Sequence, residues 1–322
     1  MTEPGKLPKM NLSKSSFFRC LLLSGMSAVL FCALPFAPPL GITAFLFSPI
    51  PLALLGAREN KIWMMWGLLG ATLLLSLVSL QFALYFLLND GLLCLGLTLP
   101  LGKVKNGGES LLFCTVASIV SKIVWLALLV SLTGNNPFEI DPNALRTMLT
   151  RMYAGMVIHG GQEAEFFKES MEQAVMLTPY MVPSLIILYS MLDSFLNYRL
   201  CEALQRRSET KFSPLPPFKE WRFPSSLLGA LIFAFVLPYF TEGETSRLWI
   251  MLGVNLKLLV LAFFFLQGMS LVWWSLSKLA INFLLRALIV MLLLLPGLNM
   301  GVIALGVGDA WLDFRRKKIK QT

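Results

Sequence analysis

Long hydrophobic runs separated by short polar breaks dominate the chain. A helix that crosses a membrane needs about 20 mostly apolar residues, and the breaks fall at prolines, glycines and charged residues. The pattern predicts eight runs, followed by a region, 279–314, that Pro296-Gly297 divides into two short hydrophobic helices. The eight runs are 20–34, 40–57, 62–79, 81–101, 111–132, 179–198, 225–240 and 248–276. We therefore expect ten spans, or eight if two short pairs of helices are re-entrant.

The composition supports the fold class that this pattern predicts. Charged residues make up 14% of the chain and hydrophobic residues 56%, against about 25% and 45–50% in soluble domains. These values exclude a soluble globular enzyme, a disordered chain and a nucleic-acid-binding module. We predict an all-α, polytopic helical membrane protein with about ten, alternatively eight, transmembrane helices.

The polar segments divide the chain into a membrane domain and its appendages. Residues 1–19 are predicted to form a cytoplasmic N-terminal arm, 20–314 a single transmembrane domain, and 315–322 a basic cytoplasmic tail. Within the membrane domain, we expect 134–178 to form an external helical insertion and 199–224 a cytoplasmic basic loop.

The distribution of basic residues predicts the orientation in the membrane. Of the 27 Lys and Arg residues, 20 fall in the two terminal arms and in the loops on the same side, and only four fall on the opposite side. Because loops rich in Lys and Arg are retained in the cytoplasm, we expect a multi-pass protein of the bacterial inner membrane with both termini cytoplasmic. Most of the net charge of +9 thus reflects topology.

The external insertion is predicted to form a helical hairpin. Asp141-Pro142 is typical of a helix start, and His159-Gly160-Gly161 is typical of a helix end. A second helix is expected to begin near Gln162 and to lead into the sixth run. Apolar residues follow the first helix at helical spacing: Leu145, Met148, Leu149, Met152, Tyr153, Met156 and Val157. The hairpin is interpreted either as a lid over an outward-facing cavity or as an interfacial helix on lipid.

Five ionisable residues fall within the hydrophobic runs: Asp90, Lys122, Asp193, Lys257 and Arg286. A charge at mid-bilayer costs roughly 2.5–3.5 kcal/mol, so such residues usually pair or line a polar cavity. We expect Asp90 to pair with Lys122 or Lys257, and Asp193 to pair with Arg286. Three bases against two acids leave one positive charge, which we assign to an anionic group of a ligand. The alternatives are snorkelling of the Lys and Arg side chains to the headgroups and a turn at Asp90.

Motifs for catalysis and cofactor binding are missing from the sequence. It contains no phosphate-binding loop, no HExxH and no Gly-x-Ser-x-Gly, and its one histidine and five cysteines without CxxC spacing indicate no metal site. We expect neither enzymatic activity nor a cofactor. Four amide side chains within apolar runs are predicted to form hydrogen bonds between helices: Asn197, Asn255, Gln267 and Asn282.

Three stretches carry a resemblance to a known family: 47–52 (FSPIPL) followed by Arg58, 265–270 (FLQGMS) and 305–315 (LGVGDAWLDFR). Together they resemble the YybS-like family of bacterial integral membrane proteins, and the resemblance covers nearly the whole chain. That family is distantly similar to the substrate-binding subunits of energy-coupling-factor vitamin transporters and to the rod-shape membrane protein MreD. No functional residue is established for the family, so the resemblance assigns none.

The C-terminal motif contains the second set of candidate site residues: Asp309, Trp311, Asp313 and Arg315. Asp313 is expected to pair with a basic residue of the cytoplasmic surface, such as Arg199, Arg206 or Arg207. The motif is interpreted either as a docking site for a partner or as an anchor that holds the last helix against anionic lipid.

Two functions remain open from the sequence. The first is a small-molecule permease or the substrate-capture subunit of a transporter, in which Asp90, Lys122, Asp193, Lys257 and Arg286 bind an unidentified ligand and separate ATPase or coupling subunits supply energy. The alternative is a non-transporting cell-envelope scaffold that holds envelope proteins. In both cases the lipid bilayer is the main environment, and no nucleic acid is expected.

Overall fold

The computed structural model describes residues 14–36, 38–134, 142–153, 162–205, 212–240, 247–279, 281–295 and 297–315. In these ranges the chain forms helices and connecting segments and no strands, which confirms the all-α prediction. The helices are α1 (Lys14–Phe36), α2 (Pro38–Leu46), α3 (Ile50–Arg58), α4 (Lys61–Ser76), α5 (Leu80–Thr98), α6 (Gly107–Thr133), α7 (Pro142–Tyr153), α8 (Gln162–Leu204), α9 (Ser226–Phe240), α10 (Arg247–Lys278), α11 (Phe283–Leu293) and α12 (Asn299–Leu312).

Among the described residues, six apolar segments are long enough to cross a membrane: Lys14–Leu34, Leu40–Arg58, Leu80–Thr98, Gly107–Thr133, Val175–Leu204 and Leu248–Lys278. Four apolar helices are shorter: Lys61–Ser76, Ser226–Leu237, Phe283–Leu293 and Asn299–Leu312. The structure therefore contains six candidate membrane-spanning segments among the described residues, while the number of ten or eight spans stays a prediction. The predicted split of the long run 62–101 is also confirmed, because α4 ends at Ser76 and α5 begins at Leu80.

The second hydrophobic run departs from the prediction of one helix over 40–57. It forms two helices of nine residues each, α2 and α3, joined by a turn over 47–49. Pro49 and Pro51 explain the break, because a proline donates no backbone N–H and fits best at the start of a helix. The break lies inside the candidate membrane span Leu40–Arg58.

The two helices of the predicted hairpin begin where the sequence predicts. α7 begins at Pro142, and α8 begins at Gln162 and continues for 43 residues into the sixth hydrophobic run. Asp141 and 159–161 lie outside the described residues, as do the side chains of 149–157, so the apolar stripe stays a prediction.

The helices pack into two compact units, each with its own interior. The first unit comprises Met1–Asn135 and Ile186–Leu215. In it, α1 packs against α2, α3 and α4, α3 packs against α4 and α5, and α5 packs against α6. α3 is buried along most of its length, and the side chains of Leu52, Met64 and Phe86 are fully buried.

The second unit comprises Asn136–Leu185 and Pro216–Thr322, and α10 is its central helix. α10 packs against α9, α11, α12 and a 3-10 turn at Phe218–Glu220. Its contact with α12 depends on two glycines, Gly268 and Gly306. A Cβ atom at Gly268 would clash with the carbonyl oxygen of Val302, and one at Gly306 with that of Phe264. Glycine therefore allows the two backbones to approach closely, as at small-residue interfaces between membrane helices.

Candidate functional site

A cluster of buried polar side chains lies in the first unit, and we call it the polar centre. It contains two acids, one base and five neutral residues: Ser48, Asn89, Asp90, Ser118, Ser121, Lys122, Asp193 and Asn197. All eight side chains are buried, and Asp90 and Lys122 are only 1% and 8% exposed. Buried ionisable groups in a membrane protein are costly, and they usually mark sites of ion or substrate binding.

Helical spacing places most of these side chains on common faces. Ser118, Ser121 and Lys122 lie on α6 at positions i, i+3 and i+4, and Asp193 and Asn197 lie one turn apart on α8. Ser48 lies in the turn between α2 and α3, while Asn89 and Asp90 are neighbours in the middle of α5. Asp90 is therefore part of a continuous helix, and the alternative of a turn at this residue was wrong.

Lys122 and Asp193 form a buried ion pair. The Lys122 ammonium lies 3.1 Å from Oδ2 of Asp193, and it donates a hydrogen bond of 2.6 Å to the Ser118 hydroxyl. Ser118 in turn donates to the same carboxylate oxygen at 3.1 Å. The ammonium also lies 4.8 Å from the centre of the Tyr189 ring, within the range of a cation–π interaction.

Asp90 has hydrogen bonds but no cationic partner within the described part of the chain. The hydroxyl of Ser48 donates to its Oδ2, and the amide of Asn89 donates to its Oδ1 at 3.0 Å. The Ser121 hydroxyl lies 3.5 Å from the amide oxygen of Asn89 and donates its hydrogen bond of 2.8 Å to the Ser118 carbonyl oxygen. The ionised polar centre thus has one negative charge more than it has positive charges.

Side chains from three other helices donate hydrogen bonds to backbone carbonyls at the α2–α3 break. Asn197 of α8 donates to the carbonyl oxygen of Leu46 at 3.0 Å, and Cys94 of α5 donates to that of Pro49 at 3.2 Å. Ser27 of α1 donates to the carbonyl oxygen of Ser48. Irregular backbone at membrane depth is tolerated only where protein or a polar cavity surrounds it. These bonds therefore stabilise the break and link it to the acids.

Two buried oxygen atoms on α8 have no hydrogen-bond partner among the residues that the structure describes: Ser190 Oγ and Asn197 Oδ1. Asp193 and Asn197 are in direct contact, because the Asn197 amide donates to Oδ1 of Asp193 at 2.9 Å. Unpaired buried polar atoms are rare and each calls for a physical explanation. The Asn197 amide thus has an unused oxygen atom and is in direct contact with Asp193.

The predicted pairing of the intramembrane charges was wrong. Asp193 pairs with Lys122 rather than with Arg286, and Asp90 bonds to Ser48 and Asn89 rather than to a lysine. Lys257 and Arg286 belong to the second unit. There, Lys257 lies 4.7 Å above the Phe235 ring and Arg286 donates to the carbonyl oxygen of Leu279 at 3.3 Å.

Sequence reasoning missed four neutral members of the polar centre: Ser48, Asn89, Ser118 and Ser121. The spacing of Ser118 and Ser121 ahead of Lys122 was an available signal. The prediction of interhelical hydrogen bonds is confirmed for Asn197, Asn255 and Gln267, whereas Asn282 accepts a hydrogen bond from Leu285 N–H as the N-cap of α11.

The C-terminal motif forms a second buried network, in the second unit. Arg315 is 3% exposed and lies 3.0 Å from Asp309 Oδ2. It also donates to the carbonyl oxygen of Lys219 at 2.6 Å and to the Ser270 hydroxyl at 3.0 Å. Gln267 donates to Asp309 at 3.1 Å. These bonds hold the C-terminal part of α12 and the segment that follows it against α10.

The partner of Asp313 differs from the prediction. Asp313 pairs with Arg222 at 2.8 Å in a partly exposed ion pair, not with Arg199; Arg206 and Arg207 lie outside the described residues. Trp311 is 77% exposed. Because Asp309 and Arg315 are buried within the unit, Trp311 and Asp313 are the motif residues that a partner could contact without unfolding it.

A cavity of about 630 Å³ opens between α1 and α4, apart from the polar centre. Its lining is mostly apolar and includes Leu21, Trp63, Trp66 and Leu73. None of the eight residues of the polar centre lines it. Within the described residues, no group of three or more His, Cys, Asp and Glu side chains is arranged to hold a metal ion.

Comparison with known proteins identifies the family. The model of the family described as "Predicted membrane protein (DUF2232)" matches residues 25–310. The chain belongs to this family. It is also 22% identical to the uncharacterized protein YybS of Bacillus subtilis (strain 168) over 266 residues. The aligned region covers 80% of this chain and 83% of that protein. The YybS-like resemblance is thereby confirmed. No solved structure matches the chain.

Proposed function

We propose that this membrane protein is a solute carrier, or the solute-capture subunit of a transporter, and that the polar centre is its binding site. The observation that carries the proposal is Asp90, a buried acid without an ion pair in the described chain, bonded to the turn of a broken helix. In many transporters, substrate and coupling-ion sites lie near the bilayer midplane where a transmembrane helix is discontinuous. A scaffold has no need of such a costly arrangement.

The charge of the centre favours a cationic solute or a coupled cation. The centre contains two acids and one base, and Lys122 pairs with Asp193 while Asp90 bonds to Ser48, so an additional positive charge compensates the site and an additional negative charge does not. We therefore replace the anionic ligand expected from the sequence by a positively charged one. Because the whole centre is buried, we expect helix movements to admit the solute.

Thermal unfolding of the purified protein in nanodiscs tests the proposal. Panels of cationic, neutral and anionic solutes are added in sodium-free buffer, where the charge of Asp90 is uncompensated, and we expect only cationic ones to raise the melting temperature. The variant Asp90→Asn removes the uncompensated charge and should abolish the response. Asn282→Ala, which alters an exposed N-cap in the second unit, is the control and should keep it. No stabilisation by any solute, or an unchanged response of Asp90→Asn, contradicts the proposal.

The orientation forms part of the proposal. We place the protein in the inner membrane with both termini in the cytoplasm, because the basic residues lie mostly in the arms and the loops of that side. Fusion of green fluorescent protein or alkaline phosphatase to the C-terminus distinguishes the two sides. We expect a fluorescent and phosphatase-inactive product, and an active phosphatase contradicts the orientation.

Separate ATPase or coupling subunits are the proposed source of energy. Purification of the tagged protein in mild detergent identifies what remains bound to it. Co-purified ATPase subunits support the capture-subunit form of the proposal, whereas enzymes of envelope synthesis favour the alternative of an envelope scaffold. The exposed Trp311 is the proposed contact, and Trp311→Ala should release the partner without altering the melting temperature.

A further inference from the structure

Three acceptor oxygens crowd around one amide nitrogen at the end of α2. Nδ2 of Asn197 lies 3.0 Å from the carbonyl oxygen of Leu46, 2.9 Å from that of Asp193, and 2.9 Å from Oδ1 of Asp193. An amide NH₂ group has two hydrogens. Nδ2 therefore cannot satisfy all three oxygens with linear hydrogen bonds.

The oxygen of the same amide, Oδ1, lacks a hydrogen-bond donor. Within the described part of the chain, Oδ1 of Asn197 is buried and accepts no hydrogen bond, and the Ser190 hydroxyl makes none either. The two ends of an asparagine amide have nearly the same shape and can exchange by rotation. After such a rotation, Oδ1 would join the oxygens of Leu46 and Asp193 in one cluster. An oxygen cluster of this kind is stable only around a positive charge.

The backbone contributes to the same electrostatic field. Leu46 is the last residue of α2, and its carbonyl belongs to the C-terminal end of that helix. The C-terminal end of a helix carries a partial negative charge. In membrane transporters, the C-terminal ends of half-helices and unwound carbonyls are recurrent ligands of Na⁺.

The polar centre has one uncompensated negative charge, which one monovalent cation would neutralise. Lys122 neutralises one of the two acids and occupies Oδ2 of Asp193, whereas the cluster lies on the Oδ1 side of that carboxylate. Asp90 supplies the second negative charge and bonds to Ser48, two residues beyond Leu46. A single monovalent cation makes the centre neutral, and a divalent cation leaves an excess positive charge.

From these observations we infer a Na⁺ site at the C-terminal end of α2, with the Leu46 carbonyl, Oδ1 of Asp193 and Oδ1 of Asn197 as protein ligands. Oxygen-only ligation is typical of hard cations and separates this site from transition-metal sites. The inference rests on the proposed function and deepens it, since Na⁺ becomes the ion that accompanies the solute. Lys122 stays on Asp193 and does not need to move when Na⁺ binds.

Sodium binding is measured on the full chain in nanodiscs, in choline chloride buffer without sodium. Equilibrium dialysis with ²²Na⁺ should give one bound ion per chain, and NaCl at constant total chloride should raise the melting temperature saturably. At 100 times the dissociation constant we expect a rise of about 5 °C. Absence of bound ²²Na⁺ overturns the inference, and so does a shift that KCl produces more strongly than NaCl. A melting temperature that responds only to pH also overturns it, because the charge is then a proton.

Two asparagine variants separate the ion site from general stability. Asn197→Ala should lower Na⁺ affinity at least tenfold. The control Asn255→Ala removes another asparagine that bridges helices, bonded to Ser184 and Tyr180 in the second unit, and should melt earlier while keeping its Na⁺ response. If Asn197→Ala does not fold, Asp90→Asn serves instead, since loss of one charge should also weaken Na⁺ binding about tenfold. Unchanged Na⁺ affinity in both variants refutes the site.

The inference and the proposed function fail in different ways. If a cationic solute raises the melting temperature equally in sodium and choline media, the carrier proposal stands and the Na⁺ inference is wrong. If one Na⁺ binds per chain but no solute of the panel stabilises the protein, the ion site stands and the carrier proposal is wrong.

Discussion

The ammonium of Lys122 and the carboxylate of Asp193 lie 3.1 Å apart on two helices, with the Ser118 hydroxyl bonded to both. Both side chains are almost completely buried. Because the other carboxylate oxygen bonds to the Asn197 amide, the pair holds the polar centre to the turn between α2 and α3. Breaking it should therefore affect the stability of the first unit.

Removal of Lys122 alone should be strongly destabilising. Lys122→Met leaves Asp193 as a buried charge without its counter-ion, and we expect a loss of about 3 kcal/mol in the free energy of unfolding. The double variant Lys122→Met/Asp193→Asn removes both charges and should recover most of that loss. Unfolding titrations with sodium dodecyl sulfate measure both effects. A double variant as unstable as the single one would show that the cost comes from lost packing.

The glycine contact between α10 and α12 gives a steric prediction. In Gly306→Ala, the new methyl group would meet the backbone carbonyl of Phe264, which cannot rotate away like a side chain. We expect a loss of roughly 1–3 kcal/mol. Thermal unfolding measures it.

Gly301 is the matched control on the same helix. No atom of the described chain lies within 4 Å of the position that its Cβ would occupy, and alanine favours helix formation over glycine. Gly301→Ala should therefore leave stability unchanged or raise it slightly. Equal destabilisation by both alanine substitutions would refute the close approach of the two helices at Gly306.

Most of the helices could be predicted from the sequence because the membrane imposes a simple rule of length and hydrophobicity. The split between α4 and α5, the start of α7 at Pro142 and the division of the last region all follow from local signals. The break between α2 and α3 was missed, although Pro49 and Pro51 were visible. Leu40–Arg58 has the length of a single span, and hydrophobicity averaged over that length hides the turn.

The candidate site was less predictable, because charge pairing depends on which helices are neighbours. The sequence identified Asp90, Lys122 and Asp193 as buried charges, but depth alone assigned Arg286 to Asp193. The hydrogen bond from Asn197 to Leu46 joins residues 151 positions apart, and no periodicity of either helix reports such a contact. Four of the five neutral members of the centre were missed, because polar uncharged residues also occur in membrane helices without a special role.

Asn255 should contribute to stability through the backbone of α8. It accepts a hydrogen bond of 2.8 Å from the Ser184 N–H and donates one of 2.6 Å to the Tyr180 carbonyl, two groups that pair with each other in a regular helix. Asn255→Leu removes both of these hydrogen bonds, and we expect a loss of about 1–2 kcal/mol in the free energy of unfolding. Hydrogen exchange should also become faster around Ser184. Unchanged exchange there would contradict the bridging role.

Arg315 should stabilise the second unit much more than Arg222 does. Arg315→Leu leaves Asp309 buried without its counter-ion, at a cost of about 3–5 kcal/mol, and truncation after Phe314 should have a similar effect. Arg222→Ala breaks only the partly exposed pair with Asp313 and should cost less than about 1 kcal/mol. Comparison of melting temperatures tests the difference. A folded truncated protein that loses only a co-purifying partner would instead indicate docking.

Glu59 gives the first unit a predictable response to acid. Its carboxylate lies between α3 and α4 and accepts hydrogen bonds from Ser16 at 2.8 Å and Arg19 at 2.6 Å. These two bonds hold the pKa of Glu59 below its usual range, and the bond from Ser16 lowers it more than the bond from Arg19 does. The unfolded chain, with an ordinary glutamate pKa of about 4.3, therefore binds a proton more readily than the folded one. The stabilisation is complete above that value and is lost as the pH falls through the lower, folded pKa.

Melting temperatures measured between pH 6 and pH 3 should decline less steeply in Glu59→Gln than in the unmodified protein. Ser16→Ala should have an intermediate slope, because Arg19 still bonds to the carboxylate. Parallel curves for all three proteins would show that Glu59 does not link folding to protonation.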